Sequence, residues 1–342
     1  MISSKSIKKK AKELGFHKVG IAKAEPTPKE KTDLESWLMQ GHHATMEWII
    51  KRKNERGDIQ TYFPEAKSVI SIGLNYFVGK DQSNIHSDYK LSNYAWGDDY
   101  HDVLKSRLDK LVIWMHKVSE GFFEAKAYVD TGPIQERVYA QHAGIGWIGK
   151  NTCVINPTVG SWLFLAEVIC TLTLEPDQPS LNQCGTCNLC IEACPTGAIA
   201  APYELDAARC LSYLTIEKRG DIPTEYWSEI GTHIYGCDIC QEVCPYNQPA
   251  AISKDSSWQP RPGLDQPILS ELWLMSDDGV RDLLKGSAMT RAKLSGLRRN
   301  IAIAMGNAGQ VDTLMGSKDL TDQRMSVNDE MVQRHIRWPV EE

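Results

Sequence analysis

No run of the sequence is apolar for the length that crosses a bilayer, which excludes a membrane-spanning helix. Positive charge is not in surplus either: 38 lysines and arginines face 44 aspartates and glutamates, a net charge of −6. That balance excludes nucleic-acid binding by bulk electrostatics, so any such contact must come from a local patch. The first residues, Met1-Ile2-Ser3-Ser4-Lys5, carry neither an apolar signal segment nor a twin arginine. An exported protein is therefore not expected, and with so many thiols the chain reads as cytoplasmic. Length is not lacking: 342 residues can bury cores for two or three domains.

Ten cysteines are present, and eight fall between positions 184 and 244. Cys184, Cys187, Cys190 and Cys194 make C-x-x-C-x-x-C-x-x-x-C before Pro195, the spacing with which bacterial ferredoxins hold cubane iron–sulfur clusters. Cys237, Cys240 and Cys244 repeat the end of that pattern before Pro245, with the first cysteine displaced upstream to Cys210. Two-residue gaps let a tight loop aim three sulfurs at one cluster. The fourth cysteine starts a helix that points away and reaches the other cluster. The expected ligand sets therefore cross: Cys184, Cys187, Cys190 and Cys244 for one cluster, and Cys194, Cys210, Cys237 and Cys240 for the other. The rival readings are weaker. Zinc favours separated C-x-x-C pairs, and a disulfide lattice needs an oxidising compartment. Cys153 and Cys170 lie in apolar, strand-like surroundings and read as small buried hydrophobes.

Along the chain, residues 3–14 predict a helix stopped by Gly15, and 16–22 a strand. Thr27-Pro28-Lys29-Glu30 predicts a capping box with Pro at the first helical position. Residues 67–75 form a buried strand pattern, and Asp98 or Asp99 caps a long amphipathic helix. A strand over 123–129, a helix over 133–143 and a strand over 161–170 follow. Strands alternating with helices predict an α/β sandwich-type domain. Helices are expected near 206–217 and 223–230. Beyond Pro262 they are expected over 271–284, broken near Ser276, over 290–305 and over 328–338, as in a short helical-repeat tail.

Two stretches raise chemical questions. Residues 144–151 (GIGWIGKN) satisfy G-x-G-x-x-G, and all but the last position of a phosphate-binding loop. Both patterns need a preceding strand and a following helix, and here the order is reversed, so nucleotide binding is rejected. The glycines still suggest close approach of backbone to something flat or bulky. Asp130 ends a predicted strand, where α/β folds present groups to a ligand. A partly desolvated carboxyl there could hold a proton at neutral pH and donate it; an Asx-turn or a helix N-cap explains the same residue.

The chain resembles the epoxyqueuosine reductase family along most of its length. The resemblance rests on residues 94–101 (YAWGDDYH), 129–136 (VDTGPIQE), 143–151 (AGIGWIGKN), both cysteine groups, 210–217 (CLSYLTIE) and 298–307 (RRNIAIAMGN). It implies an α/β (α+β) domain over 1–178 that binds cobalamin and is similar to reductive-dehalogenase and cobalamin-processing folds. A ferredoxin-like domain with two [4Fe–4S] clusters over 179–260 and a HEAT-like helical tail over 261–342 follow. It implies reduction of epoxyqueuosine to queuosine at the tRNA wobble position, with Asp130 as proton donor to the leaving oxygen. Corrin contacts are expected from Arg56, Tyr94, Asp98, Tyr100, His101, Asp130, Lys150 and Ser161, with Ser212 and Asp238 toward the clusters. The cobalamin is expected base-off, without a protein histidine ligand. Arg291, Lys293, Arg298 and Arg299 are the expected tRNA contacts. A monomer served by an external one-electron donor such as flavodoxin or ferredoxin completes the picture. Two rivals remain: a reductive-dehalogenase-like reductase, and a ferredoxin-type carrier with no chemistry of its own.

Overall fold

The computed structural model describes residues 2–79, 88–264, 268–316 and 329–336. At its centre is a four-stranded sheet, wholly antiparallel, in the order Lys18–Lys23, Ser68–Asn75, Leu163–Cys170, Ala125–Tyr128. The domain is thus of the α+β kind. Every residue of strand Ser68–Asn75 is buried, because both faces of the sheet are covered. On one face, Ile70, Ile72, Leu74, Ala166 and Val168 meet helices Ser4–Glu13 and Tyr100–Val118. Those helices contribute Ile7, Ala11, Leu104, Leu108 and Leu111 at helical spacing, each larger side chain contributing about 2 kcal/mol by leaving water. On the other face, Val69 and Ile169 meet Tyr139, Ala140 and Ala143 of helix Glu136–His142 and its end. A Cβ on Gly20 would stand 1.9 Å from the Ala143 carbonyl oxygen, which is how closely that helix presses on the sheet. By the two-residue alternation of strands, Ser71, Glu167 and Tyr128 share this second face, aligned in one row across three strands.

The termini of these elements follow their local chemistry, with some departures. Ser3 and Ser6 form a reciprocal capping box, and Asp99 accepts the His101 amide at the start of the long helix. Thr27 makes no cap bond, although Pro28 does open its helix, so the box predicted there is not formed. The helix after Pro133 begins only at Glu136, with Gln135 as its cap. Arg56 lies in the short helix Lys53–Gly57, which a turn at Lys51 and Arg52 separates from helix Glu47–Ile50. The predicted 271–284 helix is two, Leu269–Leu274 and Asp277–Leu284, with Ser276 capping the second. The predicted 290–305 helix is a short 3-10 turn, a break at Lys293 with φ of 63°, and helix Leu294–Asn307. Of the 328–338 segment, Glu330–Ile336 is helical; residues 328, 337 and 338 lie outside the described residues.

Strand His233–Tyr235 in the cysteine region pairs in parallel with Lys90–Leu91, just ahead of the long helix. The tail helices pack on this seam: Leu269, Trp273, Leu297, Ile301 and Val332 share one core with Tyr89, Trp96, Ile234 and Tyr235. Among the described residues no helix is long and apolar enough to cross a membrane.

Candidate active site

Asp130 follows strand Ala125–Tyr128 with φ of 59°, a left-handed conformation that aspartate tolerates better than most residues but at a cost. It does not cap the next helix. Its Oδ2 accepts a 3.0 Å hydrogen bond from the Tyr100 hydroxyl, and His101 Nε2 lies 3.7 Å from the same oxygen, an ion-pair contact longer than a hydrogen bond. His101 Nδ1 meets Asp99 Oδ1 at 2.7 Å. Tyr100 is clamped between the His101 ring and Phe164, its ring parallel to that of Phe164 within 6°. Asp130 and then Asp99 raise the His101 pKa to about 9. In return His101, and after it the Tyr100 hydroxyl, hold Asp130 below its usual range despite desolvation. These neighbours favour the carboxylate form of Asp130 and the charged form of His101.

These groups wall a cavity of about 460 Å³, lined also by Trp48, Arg56, Tyr94, Glu217, Tyr235 and Arg291. A second cavity of about 230 Å³ shares Tyr94, Tyr100 and Asp130 with it and continues past Tyr76, Glu136, Cys153, Ser161 and Gln241. Of the expected corrin contacts, Arg56, Tyr94, Tyr100, His101, Asp130 and Ser161 are therefore brought together. The other four are not among the lining residues. The Asp98 side chain is exposed toward Arg261, 3.4 Å away. Lys150 is buried under the first cysteine loop, donating to the Cys187 carbonyl and to Asn188 Oδ1, both at 2.9 Å. Asp238 is buried and accepts from Ser92 Oγ, from the Asn93 amide at 2.6 Å and from Asn93 Nδ2 at 2.9 Å. Ser212 is half-buried in helix Leu211–Ile216 beside Cys210.

The basic residues of the tail divide. Arg291 is exposed at the cavity rim and makes a two-bond pair with Glu217, both at 2.8 Å; Lys293 is exposed beside it. Arg298 and Arg299 are buried and are removed from the nucleic-acid-facing set. Arg298 donates to the carbonyls of Leu272, Trp273 and Met275. Arg299 donates to those of Leu214, Lys218 and Gly220. Both cap chain ends that helices leave unsatisfied. Sequence reasoning missed Trp48, Glu136, Glu167, Tyr76 and Gln241. None stands in a spacing that marks chemistry, although Glu167 signals itself as the one charge in an otherwise apolar strand.

The cysteines gather as two crossed quartets. Cys184, Cys187, Cys190 and Cys244 line one small cavity of about 70 Å³. Cys237 is near Cys210 and Cys194, and Cys240 near Cys237, Cys210 and Cys153. Among the described residues no three His, Cys, Asp or Glu are grouped tightly enough to hold one metal ion. Backbone and indole N–H groups already point at sulfur: Ala198 N to Cys194 Sγ at 3.2 Å and Trp147 Nε1 to Cys184 Sγ at 3.5 Å. The loop around the first quartet is largely exposed, whereas the second is flanked by buried His233, Ile234, Tyr235 and Asp238. Cys153 is not the strand residue expected: it stands in the turn between Trp147–Ile148 and Val154–Ile155, between Cys240 and the cavity. The neighbouring glycines approach not a ligand but the chain itself, a Cβ on Gly146 falling 2.3 Å from the Ile155 carbonyl oxygen.

Comparison with known proteins decides the family. The domain described as a 4Fe-4S double cluster binding domain matches residues 183–247, and that described as Epoxyqueuosine reductase QueG, DUF1730, matches residues 56–131. An epoxyqueuosine reductase of Gloeobacter violaceus is 41% identical over 309 residues, covering 89% of this chain and 96% of the relative. The chain belongs to the epoxyqueuosine reductase family. The Escherichia coli epoxyqueuosine reductase is 37% identical over 344 residues, covering 98% of this chain and 88% of that one. A crystal structure of an epoxyqueuosine reductase with an epoxyqueuosine-modified tRNA-Tyr stem loop superposes with a TM-score of 0.87 at 28% identity, covering 98% and 88% of the two chains. The Bacillus subtilis epoxyqueuosine reductase, solved with a catalytic aspartate loop swung out of its active site, gives 0.88 at 28% identity over 98% and 89%.

Proposed function

We propose that this chain reduces epoxyqueuosine to queuosine in tRNA, drawing electrons through two [4Fe–4S] clusters to a cobalamin in the cavity beside Asp130. The observation that carries the reading is the succession of three parts: a cysteine quartet in a largely exposed loop, a second quartet flanked by buried side chains, and a cavity that begins at Cys153 and Gln241 and ends on Asp130. Electrons enter at the exposed quartet from an external one-electron carrier. The chain works as a monomer in the cytoplasm, in three parts over 1–178, 179–260 and 261–342.

The lining suits a corrin. Arg56 offers a buried Nε with no partner among the described residues, Tyr94 stands edge-on to Tyr100 in the wall, and Ser161 stands at the inner end. Both His101 nitrogens face carboxylates, so His101 is not free to bind cobalt, in keeping with a cobalamin that takes no protein histidine. When bound, the clusters and cobalamin would supply reducing electrons one at a time. The protein supplies the protons. Removing the epoxide oxygen as water consumes two electrons and two protons. With the cavity filled, Asp130 loses water, its carboxylate becomes costlier, and the proton shared with His101 and Tyr100 shifts toward it, within reach of the leaving oxygen. Arg291 and Lys293, beside the exposed Trp48, suit a single-stranded loop with its modified base turned out, phosphates on the cations and a base on the ring.

The test is the anaerobically reconstituted protein with epoxyqueuosine-containing tRNA. Cluster and corrin absorbance with conversion to queuosine is expected; clusters without corrin binding would overturn the cofactor assignment. Asp130→Asn should keep both spectra and lose about 10²-fold or more of turnover; turnover near wild type would remove Asp130 from its role.

A further inference from the structure

Behind Asp130 lies a second pair of acids that the reading above does not use. Glu136 is the first residue of helix Glu136–His142 and faces the inner cavity. Glu167 is fully buried on the central face of strand Leu163–Cys170, directly opposite Ser71 on one side and Tyr128 on the other. The two carboxyl groups are close enough to act directly on each other. Among the described residues, both Glu167 oxygens and Glu136 Oε1 are buried with no hydrogen-bond donor, and the Ser71 hydroxyl beside them is likewise unpartnered.

Among the described residues no cation forms an ion pair with either carboxylate, although Arg137 and Arg56 act on Glu136 from a distance. Asp130, Arg137, Arg56 and Tyr100 are the charged and titratable groups that face it across the cavity. Arg137 is turned to the Thr152 carbonyl and hydroxyl, and Arg56 to the Ile134 carbonyl. Two neighbouring carboxylates largely withdrawn from water repel each other when both are ionised; one proton between them removes the repulsion and gives each a partner. Burial and the neighbouring Asp130 charge push Glu136 upward, and burial and Glu136 push Glu167 upward, in agreement with that geometry. A glutamine or methionine would fill the same space without the desolvation cost, so the pair contributes nothing to the fold that an uncharged residue would not.

We propose that Glu136 and Glu167 hold one shared proton in reserve and that Glu136 passes it to Asp130 once Asp130 has given up its own. The inference rests on the proposed reduction, which consumes two protons in each turnover. The first proton goes to the epoxide oxygen as one C–O bond breaks. The second goes to the resulting hydroxyl as it leaves as water and the C=C bond forms, with two electrons arriving from the external carrier through the clusters. One carboxyl at the cavity wall covers only half of that demand. The reserve then refills from solvent through the open cavity.

The test has two readouts. Infrared spectra of the reconstituted enzyme, without tRNA, should show the carbonyl stretch of a protonated carboxyl group at neutral pH. That band should fade as pH rises, persist in Asp130→Asn, and vanish in both Glu167→Gln and Glu136→Gln. In turnover, Glu167→Gln should keep its clusters and its KM for tRNA, lose about 10- to 100-fold in kcat, and lose the wild-type decline of rate with rising pH. Glu136→Gln repeats the test should Glu167→Gln fail to fold. The proposal is overturned by a wild type without the band, by a band that disappears in Asp130→Asn, or by wild-type kcat and pH profile in the glutamine variants. If wild type leaves epoxyqueuosine unchanged the proposed reduction falls, while the infrared band still decides the shared proton.

Discussion

The Asp99–His101–Asp130 chain of contacts makes a sharp claim about a single histidine. His101 should titrate at about 9, far above an ordinary imidazole, because carboxylates face both ring nitrogens. Histidine ring resonances followed by NMR against pH check this. In Asp130→Asn the midpoint should fall toward 6.5, stopped short by Asp99; a midpoint still at 9 would mean Asp130 is not its partner. The sign for stability follows. A raised histidine pKa contributes fully below about 6.5 and is lost as pH rises through about 9, while the depressed Asp130 contributes until pH falls through its own lowered value. The sequence made Asp130 visible, since a carboxyl at a strand end is a recognisable place. It did not show what favours the carboxylate form, because that depends on His101, twenty-nine residues upstream, standing 3.7 Å away.

Among the elements, the cysteine loops were the most legible. Their ligands come from short spacings in one stretch of chain, but the helix expected to start at each fourth cysteine is not formed: short helices Leu189–Glu192 and Ile239–Glu242 precede Cys194 and Cys244, which are followed by a turn and by the single 3-10 turn Pro245–Asn247. The crossed pairing can be tested by exchanging one residue in each loop. Cys244→Ser should perturb the exposed cluster although Cys244 closes the second motif, and Cys194→Ser should perturb the buried cluster although it closes the first. Electron paramagnetic resonance of the two reduced variants, with iron content, distinguishes them; signals lost in the uncrossed order would refute the pairing. Least legible were the capping details. Thr27-Pro28-Lys29-Glu30 has the letters of a capping box, yet Thr27 is held at ψ of 76° with its side chain unused. The tail helix splits at Lys293, whose left-handed backbone no residue pattern announces.

For the molecule as a whole, the chain order suggests three stretches, but the packing joins them. The seam is a strand pair, Lys90–Leu91 with His233–Tyr235, too short to show as a periodic pattern. Arg298 and Arg299 illustrate the same limit. Charge in a helix suggests a wet surface, and only the fold reveals that backbone carbonyls from two other segments end there. Arg299→Met should therefore lower the urea midpoint strongly, by the equivalent of about 3 kcal/mol or more, since three carbonyls lose a charged donor at about 1–3 kcal/mol each. A shift below about 1 kcal/mol would return Arg299 to the surface. The crossing of the two quartets also orders how the protein can be made. A nascent chain that has reached residue 230 carries five of the eight cysteines and neither set of four. One set is complete only at Cys240, the other at Cys244, four residues later. Iron therefore cannot be installed cluster by cluster as translation proceeds: both sites come into existence almost together, long after the last strand of the central sheet has been synthesised.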